Sequence, residues 1–232
     1  MKEFFRFKSV LPLMALLVVL GLSSAAMADQ VLPGTALPPG TTVTPVTTSL
    51  SSTGTILGVI STPFSNSFIS GTARTLVARE SSGFLTFYYQ VVSTGGTQYS
   101  DDINQINMSA FAGFTTAVAQ VTNGSLLGNG FTNGTVAAGV LGAMRSTGVG
   151  STVNFIFDTG AFPVGTTSLV FSIQTNAVNF TNGNFTVSDG IVVNNPGFAP
   201  TNLPEPSSML LLGTGLFGAA GSVRRRFFGR SS

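Results

Sequence analysis

The sequence predicts an all-β protein, an antiparallel β-sandwich of jelly-roll or immunoglobulin-like kind, and three observations favour this fold class. Short segments in the middle of the chain alternate apolar and polar residues with the period of two that is typical of strands. Turn pairs such as Asn129-Gly130 and Asn182-Gly183 separate these segments. Twenty phenylalanines supply apolar side chains for one core in a chain of 232 residues. About seven to ten short strands are expected.

Residues 1–28 form the predicted signal peptide. A basic segment precedes an apolar stretch over residues 10–22, and small residues follow at Ala26 and Ala28. Positive charge remains in the cytoplasm while the apolar stretch enters the translocation machinery, and small side chains fit the peptidase. We expect a signal helix that signal peptidase removes after Ala28, and export of the remaining chain through the inner membrane.

Residues 29–52 are rich in Pro, Thr and Ser and show no sustained periodicity. This composition is typical of an extended linker. We therefore expect a mobile arm here, followed by the β-sandwich domain over residues 53–195 and a short second linker over residues 196–203.

The clearest strand patterns lie between residues 85 and 174. In three segments the odd-numbered positions are apolar, namely Leu85, Phe87, Tyr89 and Val91, then Val153, Phe155 and Phe157, then Leu169, Phe171 and Ile173. The positions between them are mostly polar, and they include Thr86, Tyr88, Gln90, Asn154, Ser172 and Gln174. Each of these strands is expected to have one dry face and one face in water.

Further candidate strands cover residues 55–60, 71–79, 103–118, 135–144 and 185–193. Residues 135–145 are rich in Ala and Leu, so this segment could equally form a short helix. Phenylalanine has no polar group, so its expected role throughout is to fill the core.

Charge and composition exclude several classes of function. Seven of the ten basic residues lie in the first eight or the last nine positions, whereas three arginines face seven acidic residues between Asp29 and Pro206, a net charge of −4. This region lacks the basic surface that nucleic-acid binding requires. The chain has no cysteine and no histidine, which excludes disulfides, thiol nucleophiles, Ser-His-Asp triads and zinc sites built on those ligands. We expect no cofactor.

The three tyrosines are the candidate ligand-binding residues. Tyr88, Tyr89 and Tyr99 combine an aromatic ring with a polar hydroxyl, and Tyr88 is predicted on the wet face of its strand. A carbohydrate-binding or adhesive module would need all three exposed together.

Asp101 and Asp102 are the candidate catalytic residues, as the only adjacent pair of carboxylates. A glycoside hydrolase would need a second carboxylate across a cleft from them. Calcium would need further oxygen ligands, for which Asp158 or Asp189 is a candidate. Because the sequence offers only these scattered acids, we expect no enzyme.

The C-terminal thirty residues combine three features in a fixed order. Pro204-Glu205-Pro206 precedes an uncharged apolar run over residues 207–223, and Arg224, Arg225 and Arg226 follow it. As a helix the run would be about 25 Å long, close to the ~30 Å of a hydrocarbon core, and its basic end would stay in the cytoplasm. A buried globular helix is a poorer explanation, because the run is apolar on every side and contains four glycines. We expect a single transmembrane helix.

This order of features resembles the PEP-CTERM sorting signal of exported proteins of Gram-negative bacteria. The resemblance covers residues 204–232 and implies that the chain is the substrate of an exosortase, a multi-pass inner-membrane cysteine protease or transpeptidase-like enzyme. Pro204, Glu205 and Pro206 would be its recognition element. The resemblance also implies transient anchoring in the inner membrane, followed by delivery to the cell surface or an extracellular matrix, where exopolysaccharide is a candidate partner. The leading expectation is therefore an exported, non-enzymatic surface or matrix protein.

Overall fold

A computed structural model describes residues 33–135 and 140–202, together with residue 214. The predicted signal peptide and, apart from residue 214, the predicted sorting signal lie outside the described residues. One 3-10 helix, Gly124–Leu127, follows the eighth strand. The strands are β1 (Thr35–Ala36), β2 (Thr42–Val43), β3 (Val46–Thr48), β4 (Thr55–Ser65), β5 (Ser70–Arg79), β6 (Leu85–Ser93), β7 (Gln105–Met108), β8 (Thr116–Val121), β9 (Val140–Arg145), β10 (Val153–Phe157), β11 (Val170–Thr175), β12 (Asn179–Ser188) and β13 (Val192–Thr201).

The strands form two sheets, which confirms the predicted β-sandwich. The first has the order β1-β8-β11-β6-β5-β4, with β3 also paired to β8, and is called here the covered sheet. The second has the order β13-β12-β7-β10-β9-β2 and is called the open sheet. All pairs are antiparallel except β3 with β8. The chain changes sheet at each step from β6 to β9, so neighbouring strands in sequence pack face to face across the core.

Aromatic side chains fill the space between the sheets, as the sequence predicted. Tyr89 on β6 contacts Phe185 on β12 with ring centroids 5.3 Å apart, and Phe155 on β10 contacts Phe171 on β11 at 4.6 Å. These residues are at most 1% exposed. Contacts of this kind add to the free energy gained by burying the rings, and they hold the sheets together without disulfides.

The prediction of one face in water is wrong for β6 and β11, two of the three clearest strands, which lie in the covered sheet. Residues 123–134 fold over its outer face and bury a second apolar cluster there, which includes Tyr88, Leu127 and Phe131. The Gln90 side chain fastens this loop: its Nε2 donates to the Thr132 carbonyl at 2.7 Å, and its Oε1 accepts the Thr132 N–H at 3.1 Å. The third of these strands, β10 in the open sheet, has the half-exposed outer face that alternation predicted.

The structure also differs from the two predicted linkers. Within residues 29–52, β1 and β3 pair with β8, and β2 pairs with β9. This segment therefore covers one edge of each sheet, where unpaired backbone groups would otherwise be left. At the other end, β13 continues through residues 196–201, in pairing with β12.

The structure also decides two of the further candidate strand segments. Residues 103–118 contain β7 of the open sheet and the first residues of β8 of the covered sheet, with a turn between them. Residues 140–145 form strand β9 rather than a helix, and residues 136–139 lie outside the described part.

Candidate functional site

The C-terminal end of the fold is set by the hairpin of β12 and β13. The two strands pair without interruption from Ser188 with Val192 to Asn179 with Thr201. The Tyr89 hydroxyl, in the core, donates a hydrogen bond to the Phe198 carbonyl of β13 at 3.0 Å. The Phe198 ring lies so close to Gly58 on β4 that a Cβ there would come within 2.8 Å of it. β13 is therefore held by its pairing with β12 and by contacts with β4 and β6, almost to the point where the predicted sorting signal begins.

The residues of the predicted processing sites lie outside the described part of the chain. This applies to Ala26 and Ala28, to Pro204, Glu205 and Pro206, and to Arg224, Arg225 and Arg226. Within the described residues, no helix has both the length and the apolar character that crossing a membrane would need.

The structure does not bring the three tyrosines together. Tyr88 and Tyr89 are each 1% exposed and belong to different apolar clusters on opposite faces of β6. Tyr88 was predicted on a wet face, and that prediction is wrong because residues 123–134 cover it. Tyr99 is 60% exposed and stacks on Phe68 with ring centroids 5.2 Å apart. A shared binding surface of Tyr88, Tyr89 and Tyr99 is therefore ruled out.

Asp101 and Asp102 lie in the loop before β7. Asp101 is exposed, and its Oδ1 accepts the backbone N–H of Asp102 at 2.8 Å. Ile103 and Asn104 link this loop to the segment after β10 and to the end of β12, since the Ile103 N–H donates to the Phe162 carbonyl and the Asn104 N–H to the Ser188 carbonyl. No group of three or more potential metal-binding side chains occurs among the residues that the structure describes.

The most extensively bonded polar side chain of the described fold is Arg145, on β9. It is 3% exposed, and burial lowers the pKa of its guanidinium. None of its bonding partners is a carboxylate: they are the carbonyls of Leu37, Phe111, Phe114 and Gly150 and the hydroxyl of Thr116, at 2.8 to 3.3 Å. All five N–H groups of the guanidinium are thus engaged. Arg145 borders a groove of about 430 Å³ with Leu37, Pro38, Phe114 and Val149, yet it has no donor left for a ligand there.

Sequence reasoning missed one other feature, a row of polar side chains across the outer face of the open sheet. Asn107 on β7, Asn154 on β10 and Thr186 on β12 are all half-exposed and lie in register. Their polar character was visible in the alternating segments around them. Their alignment was not, because it depends on the order and register of strands far apart in sequence.

Comparison with known proteins gives one match. The family model of the PEP-CTERM protein-sorting motif matches residues 202–226. Curated proteins and solved structures gave no significant match. The matched residues start one position after β13 ends at Thr201, so the similarity covers the segment beyond the fold and not the two sheets.

Proposed function

From the PEP-CTERM protein-sorting motif that this chain carries, we propose that it is an exported, non-enzymatic protein of the cell surface or extracellular matrix. The motif implies export and exosortase-mediated sorting to the surface. In this proposal the β-sandwich is the exported cargo and the C-terminal segment is its sorting signal. Signal peptidase processes the N-terminal end and the exosortase processes the C-terminal end.

One observation carries the proposal: the fold ends where the motif begins. β13 ends at Thr201 and the motif match starts at residue 202. Cleavage near Pro204, Glu205 and Pro206 would remove no strand, so the cargo would keep both sheets after processing. The three residues from Thr201 to Pro204 span at most about 10 Å. This connection between β13 and the proline motif is short, but it is long enough to leave the motif outside the sheet.

The chemistry of the tail fits a transient anchor. Proline fixes φ, lacks an N–H and restricts the residue before it, so Pro204 and Pro206 would keep this segment extended and outside an apolar helix that follows. An apolar run over residues 207–223 with Arg224 to Arg226 after it would place the proline motif at the outer side of the inner membrane. An extended backbone just above the bilayer is a suitable substrate for a membrane-embedded protease.

The use of buried polar groups supports a non-enzymatic cargo. The Gln90 amide fastens the loop over the covered sheet, the Tyr89 hydroxyl fastens β13, and the Arg145 guanidinium is saturated by carbonyl and hydroxyl oxygens. Each of these groups stabilises the fold and offers nothing further to a substrate. The acids at Asp101 and Asp102 lie on an exposed loop outside such a network.

Intact-mass analysis of the protein from its host, with and without the exosortase, tests the proposal. We expect the exosortase-positive cells to yield a species that starts at Asp29 and lacks Arg224 to Ser232. A Pro204→Ala/Pro206→Ala variant should accumulate with its tail, whereas Pro196→Ala, which changes an exposed proline on β13, should be processed normally. A mature species that keeps residues 224–232 in exosortase-positive cells would instead mean a permanent anchor.

A further inference from the structure

The outer face of the open sheet is the one broad sheet surface that the described residues leave uncovered. On β7 its outward positions are Gln105 and Asn107, and on β10 they are Asn154 and Ile156, all half-exposed between fully buried inward residues. The covered sheet differs, because residues 123–134 lie over the outer face of its central strands. A sheet with one solvated face is common, but its side chains are usually mixed with charges.

Backbone register aligns one row of this face across all six strands. Thr186 is opposite both Asn194 and Asn107, Asn107 is opposite Asn154, Asn154 is opposite Met144, and Met144 is opposite Thr42. Adjacent strands lie about 4.8 Å apart, so the row presents one hydrogen-bonding or apolar side chain every 4.8 Å or so over about 24 Å. This spacing is close to the advance per ring of an extended polysaccharide chain.

The centre of the row has unused hydrogen-bonding capacity. The Asn107 amide nitrogen donates to the Thr186 hydroxyl at 3.0 Å, which fixes both side chains. Next to it, the Asn154 Oδ1 is buried and has no hydrogen-bond partner. A buried acceptor without a donor is costly, so a rotation of the Asn154 amide that brought Oδ1 to a ligand hydroxyl at the surface would be favoured.

We infer that this row is a binding surface for a neutral polysaccharide lying across the strands. Asn107, Asn154 and Thr186 would bond its hydroxyls, and the aliphatic side chains of Met144 and Ile156 would contact the C–H faces of its rings. The inference rests on the proposed function for the location of the protein at the surface, and it adds the residues that would bind a polysaccharide and the neutral character of that polymer.

The absence of charge on this face favours a neutral polymer over an anionic one. None of the outward positions of the described strands in the open sheet is Lys or Arg: Arg145 points into the core, and Arg74 and Arg79 belong to β5 of the covered sheet. An anionic polymer would find no cation here. A second copy of this chain is also disfavoured, because interfaces between proteins are enriched in aromatic and arginine side chains at their centre, and this row has neither.

Depletion isotherms with insoluble polysaccharides test this inference. The full-length protein, in a polyoxyethylene detergent because a glycoside detergent would compete, is mixed with cellulose, with cross-linked dextran and with the carboxymethylated form of the same dextran. This assay does not require the tail to have been processed. A failure of sorting and a failure of polysaccharide binding are therefore separate results.

We expect saturable binding to at least one neutral matrix and weaker binding to the carboxymethylated one. Asn154→Ala and Asn107→Ala should each weaken binding about tenfold, and Gln98→Ala, which removes an exposed amide from a loop outside this face, should not. Far-UV circular dichroism and an unchanged thermal midpoint exclude misfolding of the variants. No binding to either neutral matrix, equal binding by the Asn154 variant, preference for the carboxymethylated matrix, or a dimer that Asn154→Ala dissociates would each overturn the inference.

Discussion

Replacing Arg145 by methionine should destabilise the fold more than a single substitution at any other arginine of the β-sandwich. Methionine keeps the length of the aliphatic part and removes all five donors. Gly150 and Phe114 then lose the guanidinium that their carbonyls accept from. The Leu37 carbonyl keeps a donor in the Thr116 hydroxyl at 2.8 Å, and the Phe111 carbonyl keeps the Phe114 N–H.

The expected cost follows from these bonds. Each buried acceptor left without a donor costs about 1–3 kcal/mol, and removing a buried charge that has no carboxylate partner recovers part of the loss. For two such carbonyls we expect a decrease of about 3–4 kcal/mol in the free energy of unfolding, or roughly 10 °C in the thermal midpoint for a domain of this size.

Arg74 provides a matched control for the same substitution. It is also partly buried, and burial also lowers its pKa, but its Nη1 is buried without a hydrogen-bond partner. Arg74→Met should therefore change the free energy of unfolding by less than about 1 kcal/mol. Urea unfolding followed by far-UV circular dichroism gives both values, provided that the slope against urea is unchanged. If Arg145→Met costs no more than Arg74→Met, the five bonds do not stabilise the fold as reasoned here.

Two further predictions concern side chains that join distant segments. Burial raises the pKa of Tyr89, so its contribution to stability is complete below the unfolded pKa of about 10 and is lost as pH rises above that value. Tyr89→Phe should lower the free energy of unfolding by about 1–2 kcal/mol at neutral pH and should remove its decrease at alkaline pH. Urea unfolding at about pH 8 and about pH 11 measures both effects, with Tyr99→Phe as the control. Asn123 bonds both the N–H and the carbonyl of Leu50, at 2.6 and 2.7 Å, so Asn123→Ala should cost about 1–2 kcal/mol and speed exchange of the Leu50 amide hydrogen. Asn133→Ala, at an exposed amide, should leave that exchange rate unchanged.

The fold class was predictable because its signal is local. Alternation in the segment that became β6 identifies a strand from nine residues alone. What covers the strand is not a local property: the Gln90 side chain donates to the carbonyl of Thr132, 42 residues further along the chain, in the loop that lies over β6. A polar side chain between apolar neighbours looks the same in sequence whether water or a loop lies over it. The sequence therefore predicted the strand correctly and the wet face of Tyr88 wrongly.

Short edge strands were missed for a different reason. β1, β2 and β3 contain two or three residues each, too few for any periodicity to appear. They form because β8 and β9 present unpaired backbone at the edges, and almost any extended segment can pair there. The composition of residues 29–52 described an extended backbone correctly, and its docking depended on the rest of the fold.

The candidate sites divide in the same way. The sorting motif could be recognised from sequence because its parts are contiguous, and the family match at residues 202–226 agrees with it. The polar row could not, because Asn107 and Thr186 are 79 residues apart and become neighbours only through the pairing of β7 with β12. Sites that a single segment encodes are accessible to sequence reasoning, and sites that sheet register assembles require the structure.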